Sequence, residues 1–410
     1  MTTELSDFVA RLRGILASYS VANAGAASGT LPKRQAASGK RQALEPPHAG
    51  SCTIDFDSLA LELFALQFKH NAAYRKICQA RGVAPDIAED WTRIPAVPTA
   101  AFKELELSCL PAAERTAVFH SSGTTEQRPS RHFHSAESLA LYAASLRPWF
   151  ERHLVPDLKS EISNFKLIIL TPPPEQAPHS SLVHMFETIR QQLGAPRSIF
   201  VGQTDVTGGW TLDFDATAAA FGGNPQSAIR NPQLILGTAF SFVHLLDFLS
   251  EKKLSLRLPA GSRVMETGGY KNRSRSMSKT ELHELISARL GVPQSEIICE
   301  YGMSELSSQA YAVAGDTWQV TRNGNSSCHV SPATCRFQFP PWARVRIVSP
   351  ETGDEVAEGE TGLIRVFDLA NVFSVMAVQT EDLGIRRGDG FELIGRAQLS
   401  GPRGCSLMSA

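Results

Sequence analysis

The sequence is short of several things, and each shortage excludes a class. No run of about 18 apolar residues occurs, so no segment has the pattern of a membrane-spanning helix. Cysteine is scarce, with 7 in 410 residues at positions 52, 78, 109, 299, 328, 335 and 405. A sparse, odd set is not a disulfide framework and suits a reducing compartment. Neither charge sign is in excess, with 40 Lys plus Arg against 41 Asp plus Glu. A nucleic-acid partner gripped through a basic face is therefore not expected. The first 20 residues carry early acidic side chains and no unbroken apolar stretch of signal-peptide length. Together these absences point to a cytoplasmic protein without a membrane span.

What is present is a core-building chain, 42% hydrophobic, enough for a sizeable interior. Residues 1–20 have the spacing of an amphipathic N-terminal helix. Residues 21–50, rich in Ala, Gly, Ser and Pro, bury too little to offset their ordering entropy and are expected to be a flexible linker. Residues 51–116 are expected to be a helical scaffold: Leu59, Leu63, Leu66, Tyr74 and Ile77 keep an apolar face, and Gly82 suits the stop. Residues 117–394 form the expected core, with apolar strand candidates at 165–171, 197–202, 232–240, 262–269 and 295–302 and amphipathic helices at 181–194 and 279–291 between them. That alternation predicts an α/β fold with substantially parallel sheets flanked by helices, whose binding residues sit at strand ends. From 336 to 399 short strands with Gly and acidic turns predict a small antiparallel element, and 395–410 a mobile C-terminal tail.

Three stretches carry candidate chemistry. In HSSGTTEQRPSRHFH (120–134), Ser121, Ser122, Gly123, Thr124 and Thr125 offer backbone N–H groups and hydroxyls to an anion, without the GK[ST] ending of a Walker loop. In EYGMSEL (300–306), an exposed Tyr301 at a strand end could stack on a base, and Glu305 four residues on could hold Mg²⁺. In QTEDLG and the following GRAQ, Asp382 could accept from ribose hydroxyls, and Arg396 could face a phosphate or carboxylate. Each alone is also what a solvated loop, a core-edge tyrosine or an ordinary surface charge looks like. Their order and spacing carry the reading.

That conjunction resembles the adenylate-forming superfamily, from about residue 117 onward. The resemblance implies that Ser121 to Thr125 cradle ATP phosphates, that Tyr301 stacks on adenine with Gly302 beside it, and that Ser304 lies near the α-phosphate. It further implies Mg²⁺ on Glu305, ribose on Asp382, a catalytic Arg396, and Gly268 and Gly269 of METGGYK in the loop beside adenine. The strings IPAVPTAAFKELEL, SSGTT, PSRHF, APHSSLVHM, GTAF, METGGYK, EYGMSELSSQAY, PPWARVRI and RGCSLM resemble, more closely, the LuxE-type acyl-protein synthetases, fatty-acid ligases of bioluminescence operons. Such enzymes end early, without a C-terminal lid domain, and carry the acyl group on a cysteine near the C-terminus, which Cys405 matches. The resemblance implies ATP and Mg²⁺ as cofactors, a fatty or other carboxylic acid as substrate, and acyl-reductase and acyl-transferase partners. Glu126 in place of a loop Gly, Gln398 in place of a hinge Asp, and an insertion at 312–335 depart from the pattern. The alternatives are a ligase passing the acyl group to coenzyme A or a carrier-protein thiol, and a non-catalytic nucleotide-binding relative.

Cys405 stands nine residues after Arg396, a tail spanning at most about 30 Å, so it could reach an adenylate without domain rotation. His179 and His184 are candidate contacts to the substrate carboxylate, and Phe240 a candidate wall of the acyl channel, with packing as the alternative for each. Cys328, His329 and Cys335 have no common zinc spacing, and Cys299 is expected to be structural.

Overall fold

In a computed structural model, residues 3–26, 54–121, 128–156, 166–193, 198–206, 208–221, 231–254, 256–268, 277–312, 320–321, 327–328 and 335–397 are described. Helix α1 (Thr3–Ala26) precedes α2 (Phe56–His70) and α3 (Ala72–Ala80), which meet at Asn71. Asp55 caps α2 through Ser58 N and Asn71 caps α3 through Tyr74 N, each satisfying a donor the helix leaves free. The first six residues of the expected linker continue α1; from residue 27 the linker lies outside the described residues.

After α3 come β1 (Val97–Pro98), α4 (Ala101–Glu104), and the hairpin β2 (Ala117–His120) with β3 (Arg131–His134). Antiparallel pairing runs from Ala117↔His134 to His120↔Arg131, and between the two strands residues 122–127 lie outside the described residues. A reciprocal Ser135–Ser138 capping box opens α5 (Ala136–Leu154).

The alternating region follows as β4 (Lys166–Ile169), α6 (Ser181–Leu193), β5 (Ile199–Phe200), β6 (Gly202–Thr204), β7 (Trp210–Leu212), α7 (Phe214–Ala220), β8 (Gln233–Thr238), α8 (Ala239–Glu251), β9 (Arg263–Thr267), α9 (Lys279–Leu290) and β10 (Ile297–Tyr301). All five expected strands and both expected helices form. Thr238 ends β8 and at once caps α8 through Ser241 N. Gly291, at φ +69°, ends α9 in the left-handed conformation that glycine tolerates best. The chain continues as β11 (Ala310–Ala312), β12 (Val320–Thr321), β13 (Ser327–Cys328), β14 (Arg336–Gln338), β15 (Ala343–Val348), β16 (Thr361–Asp368), β17 (Ala377–Arg387) and β18 (Gly390–Arg396). Most of the expected insertion at 312–335 lies outside the described residues.

One sheet of 12 strands organises the whole, in the order β15-β16-β17-β18-β14-β11-β10-β9-β8-β4-β5, with β1 added beside β17. From β10 to β5 every pairing is parallel; from β11 to β15 every pairing is antiparallel. The expected C-terminal antiparallel element is thus an extension of the main sheet, not a separate layer, and β11 is the join.

The parallel half is covered on both faces. Leu167, Ile169, Leu234, Leu236 and Met265 belong to one apolar cluster, shared with α1, α2, α5 and α6. Ile168, Leu170, Ile235, Val264 and Ile297 belong to the other, with α7, α8 and α9. Successive side chains point to opposite faces, so continuous apolar runs are what a doubly covered strand requires. Among the described residues no helix is long and apolar enough to cross a membrane.

Candidate active site

Where the parallel and antiparallel halves join, β10 ends at Tyr301 and the chain turns through Gly302 into a buried loop, Ser304 to Gln309. A Cβ on Gly302 would collide with the Glu300 carboxylate, so any larger residue there displaces that side chain. The Tyr301 hydroxyl donates to Asp382 Oδ2 at 2.9 Å, and Arg396 Nε donates to Asp382 Oδ1 at 3.4 Å. Asp382 and Arg396 are register partners on β17 and β18. Two of the three sequence stretches therefore converge on one carboxylate. Asp382 keeps a further lone pair on each oxygen for hydroxyl donors. The Arg396 side chain, 80% exposed, is free to turn toward a ligand.

Tyr301 differs from the exposed aromatic expected from the sequence: its ring is buried, 5.2 Å from Phe391, edge to face, and 6.1 Å from the tilted ring of Phe337. The antiparallel strands β14 and β18 supply those rings, so burial of a strand-end tyrosine follows from pairing that local sequence does not show. Burial pushes its hydroxyl well above the usual tyrosine range, with the Asp382 charge adding to it.

Beside it, Glu305 Oε2 accepts from Ser304 Oγ at 2.9 Å, and Ser304 Oγ lies 3.4 Å from Ser130 Oγ. Ser130 N donates to Ser121 Oγ at 3.0 Å, so the β2–β3 hairpin is braced across its end and meets this loop through Ser130 Oγ. His132 Nδ1 donates to Ser304 O at 2.9 Å. Burial holds the His132 imidazole at about 4, so it is neutral at physiological pH. Carboxylate and hydroxyl oxygens dominate around Glu305, the donor set a hard cation such as Mg²⁺ takes.

A buried polar network holds the loop from below. Asp368 accepts from Ser307 N (2.9 Å), Ser308 N (2.8 Å), Ser308 Oγ (2.7 Å) and Ala370 N (3.0 Å). Asn371 donates to Glu305 O at 2.8 Å and accepts from Ser307 Oγ at 2.6 Å. Gln67 of α2 closes the network, donating to Asn371 O (2.7 Å) and accepting from Met376 N (3.0 Å). Burial raises the Asp368 carboxyl above its usual range, although its four donors oppose that.

His179 is exposed, its Nδ1 3.2 Å from Val118 O and its ring 4.7 Å from His120. His184 packs on Phe119 (5.1 Å) and on Tyr142 (5.4 Å), whose hydroxyl accepts from Gln309. Buried His184 Nε2 and His134 Nε2 have no hydrogen-bond partner, and both rings lean on Phe119. Such orphaned nitrogens mark a place for a polar atom of a ligand or a water. Burial depresses both imidazoles, so both are neutral. Phe240 is half-buried in the first turn of α8, 4.4 Å from the His244 ring.

Gly268 follows β9 at φ +72° with open space where a Cβ would stand, beside β10. Ser122, Gly123, Thr124, Thr125, Gly269 and Cys405 lie outside the described residues, as do Glu126 and Gln398. Sequence reasoning passed over Ser130, His132, Asp368 and Asn371. For the last two a signal existed: Asp and Asn three apart within the otherwise apolar VFDLANVFSVMAV, where a polar side chain must be buried and so must be paired.

Comparison with known proteins follows from this geometry. Residues 54–133 and 212–410 match the family described as acyl-protein synthetase, LuxE. The long-chain-fatty-acid–luciferin-component ligase of Vibrio harveyi is 22% identical over 359 residues, 84% of each chain. The ligase of the same name from Aliivibrio fischeri is 23% identical over 375 residues, 86% of this chain and 87% of that one. An open conformation of 2-hydroxyisobutyryl-CoA ligase, in complex with 2-HIB-AMP and CoA, is similar with a TM-score of 0.58 at 13% identity, over 83% of this chain and 73% of that chain. At that identity the last likeness is one of fold.

Proposed function

The chain belongs to the acyl-protein synthetase (LuxE) family of ligases, and from that premise we propose that it activates a fatty acid with ATP and transfers the acyl group to its own Cys405. A carboxylate oxygen of the acid attacks the α-phosphorus, the bond to the bridging oxygen breaks, and pyrophosphate leaves. The Cys405 thiolate then attacks the acyl carbon; the C–S bond forms, the C–O bond to AMP breaks, and AMP departs with the electron pair. The thiol proton passes to solvent.

The observation that carries this reading is the meeting of Tyr301, Asp382 and Arg396 on one side of the Ser304–Glu305 loop. Asp382 accepts the ribose hydroxyls, with Tyr301 fixing the orientation of its carboxylate. Arg396 turns from Asp382 to the phosphate and carboxylate oxygens, and Ser304 donates near the α-phosphate. Glu305 would hold Mg²⁺, which neutralises charge on the phosphates. The loop from Ser121 to Thr125 cradles the β- and γ-phosphates, and Gly268 leaves room beside adenine, with Gly269 next to it in the same binding loop. His184 lies toward the acyl side, with His179 at its rim and Phe240 on the channel wall. The fatty acid is supported by the two luciferin-component ligases, which are named for long-chain fatty acids. Delivery of the thioester to an acyl reductase is the step that follows chemically, since a thioester is a suitable hydride acceptor.

The test is intact mass spectrometry of the protein incubated with ATP, Mg²⁺ and a panel of acids, beside Cys405→Ser. An acyl increment on the wild type alone supports the reading and names the acid. Pyrophosphate exchange without an increment, joined by thioester formation on added coenzyme A, moves the acceptor to an external thiol. No acid-dependent exchange with any acid overturns adenylation itself.

A further inference from the structure

Behind the candidate site, on the face of the sheet that α9 covers, four donors of three chemical kinds converge from four elements. Cys299 lies on β10, two residues before Tyr301 and so on the same face. Its register partner on β9 is Glu266. His283 reaches down from α9, and Cys335 leads into β14. The Cys299 and Cys335 sulfurs are 3.6 Å apart. Cys299 Sγ lies 3.1 Å from Glu266 Oε1 and 3.8 Å from His283 Nε2, and those two atoms lie 3.4 Å from one another.

We propose that Cys299, His283 and Glu266 bind zinc, with Cys335 beside Cys299 as the fourth ligand, in a site that ties β9, β10, β14 and α9 together beneath the adenine-side loop. The separations carry the argument. Zn–S bonds of about 2.3 Å and Zn–N or Zn–O bonds of about 2.0–2.1 Å at a tetrahedral angle put two sulfurs about 3.8 Å apart, sulfur and nitrogen or oxygen about 3.5 Å, and nitrogen and oxygen about 3.3 Å. The separations among Cys299, His283 and Glu266 lie within about 0.4 Å of these values, and the three donors all lie within 4.8 Å of one another; the Cys335 sulfur, 3.6 Å from that of Cys299, stands outside this trio and swings toward it to complete the shell. A disulfide requires sulfurs about 2.05 Å apart, and the thiols are free.

Charge agrees with geometry. Lys279 Nζ lies 3.3 Å from Glu266 Oε1 and 5.4 Å from the centre of the Phe337 ring, making it a half-buried outer partner of the carboxylate. Once zinc displaces the two thiol protons, two thiolates, one carboxylate, one ammonium and the divalent cation sum to zero. Two sulfurs, one imidazole and one carboxylate form a set that favours zinc over the hard cations. The site uses no residue of the proposed ligase chemistry and stands or falls apart from it.

The full-length protein, purified in a non-chelating phosphine reductant, should contain about one zinc per chain by plasma mass spectrometry. Zinc removed by a strong chelator and replaced by Co²⁺ should give sulfur-to-cobalt charge transfer in the near ultraviolet and tetrahedral d–d bands. Cys335→Ser and Cys299→Ser should lose the metal and the spectrum, and Cys109→Ser should keep both. Cys335 is the half-buried member and the variant expected to fold. Wild-type protein that takes up neither zinc nor cobalt, or that retains either metal in both cysteine variants, overturns the site; so does a Cys299–Cys335 disulfide found in peptides from the freshly purified chain.

Discussion

In the parallel half of the sheet, β8 buries every residue from Gln233 to Gly237, and its neighbours β4 and β9 are nearly as buried. In the antiparallel half, β16 and β18 mix buried with half-exposed positions, and what fixes them to the rest is largely polar. The parallel strands are held by area removed from water, which any apolar side chain of the right volume supplies. The join is held by directed bonds to Asp368, Asn371 and Gln67, each needing its own partner in its own place. One half therefore tolerates substitution as long as volume is kept. The other fails when a single acceptor is removed, because several donors are orphaned together. The candidate site is built on that second kind of support.

The comparison breaks most sharply at Asp368. Asp368→Ala should lower the unfolding free energy by about 3–5 kcal/mol in urea titration, since it strands four donors. Ile235→Val, fully buried in the parallel half, should cost about 1 kcal/mol. Equal costs would mean that the two halves are not held differently.

Next in size, Asp382→Ala should reduce acid-dependent ATP–pyrophosphate exchange by about 10²-fold, with little change in the urea midpoint. A large stability loss with intact exchange would reverse the roles assigned to Asp382 and Asp368.

The join should also be the acid-sensitive part. Unfolded His132 takes up a proton near pH 6.5, whereas the folded residue does so only near 4, so its contribution is complete above 6.5 and is lost as pH falls toward 4. Between pH 7 and pH 5 stability should drop by about 2 kcal/mol from this residue, and His132→Gln should flatten the urea midpoint over that interval. An unchanged slope in the variant would place the acid sensitivity elsewhere.

The smallest effect is expected at Tyr301. Tyr301→Phe keeps the packing on Phe391 and removes one hydrogen bond to Asp382, so KM for ATP should rise about 3–10-fold with stability changed by no more than about 1 kcal/mol. A change in kcat with KM constant would show that the hydroxyl acts in the chemical step and not in holding the nucleotide.

What could be read from the sequence divides along the same line. The strands around Ile168, Ile235 and Val264 and the helices α6 and α9 announce themselves, because apolar period and capping residues are local signals. Ser121, Tyr301, Ser304, Glu305, Asp382 and Arg396 were legible as spaced motifs, and the structure brings them to one end of the sheet. Tyr301's burial was not legible, because Phe337 and Phe391 arrive on strands that local pattern cannot pair with β10. Nor was the cluster at Cys299. Sequence searches for metal sites look for close spacing, as between Cys328 and Cys335, whereas Glu266, His283, Cys299 and Cys335 come from separate elements and meet only when the sheet closes. At Asp368 the sequence signals a buried polar group but not its partners: three of its four bonds come from Ser307 and Ser308, across the fold.

Gln67 bonds Asn371 across 304 positions and Met376 across 309. On the ribosome, α2 emerges early and must wait, its amide solvated, while the whole parallel half is synthesised and can pack behind it. The loop carrying Ser304 and Glu305 has no floor until Asp368, Asn371 and Met376 have been translated. Assembly of this site is therefore a late event in the life of each chain, and a fragment begun at residue 117 would complete its strands yet leave that floor open.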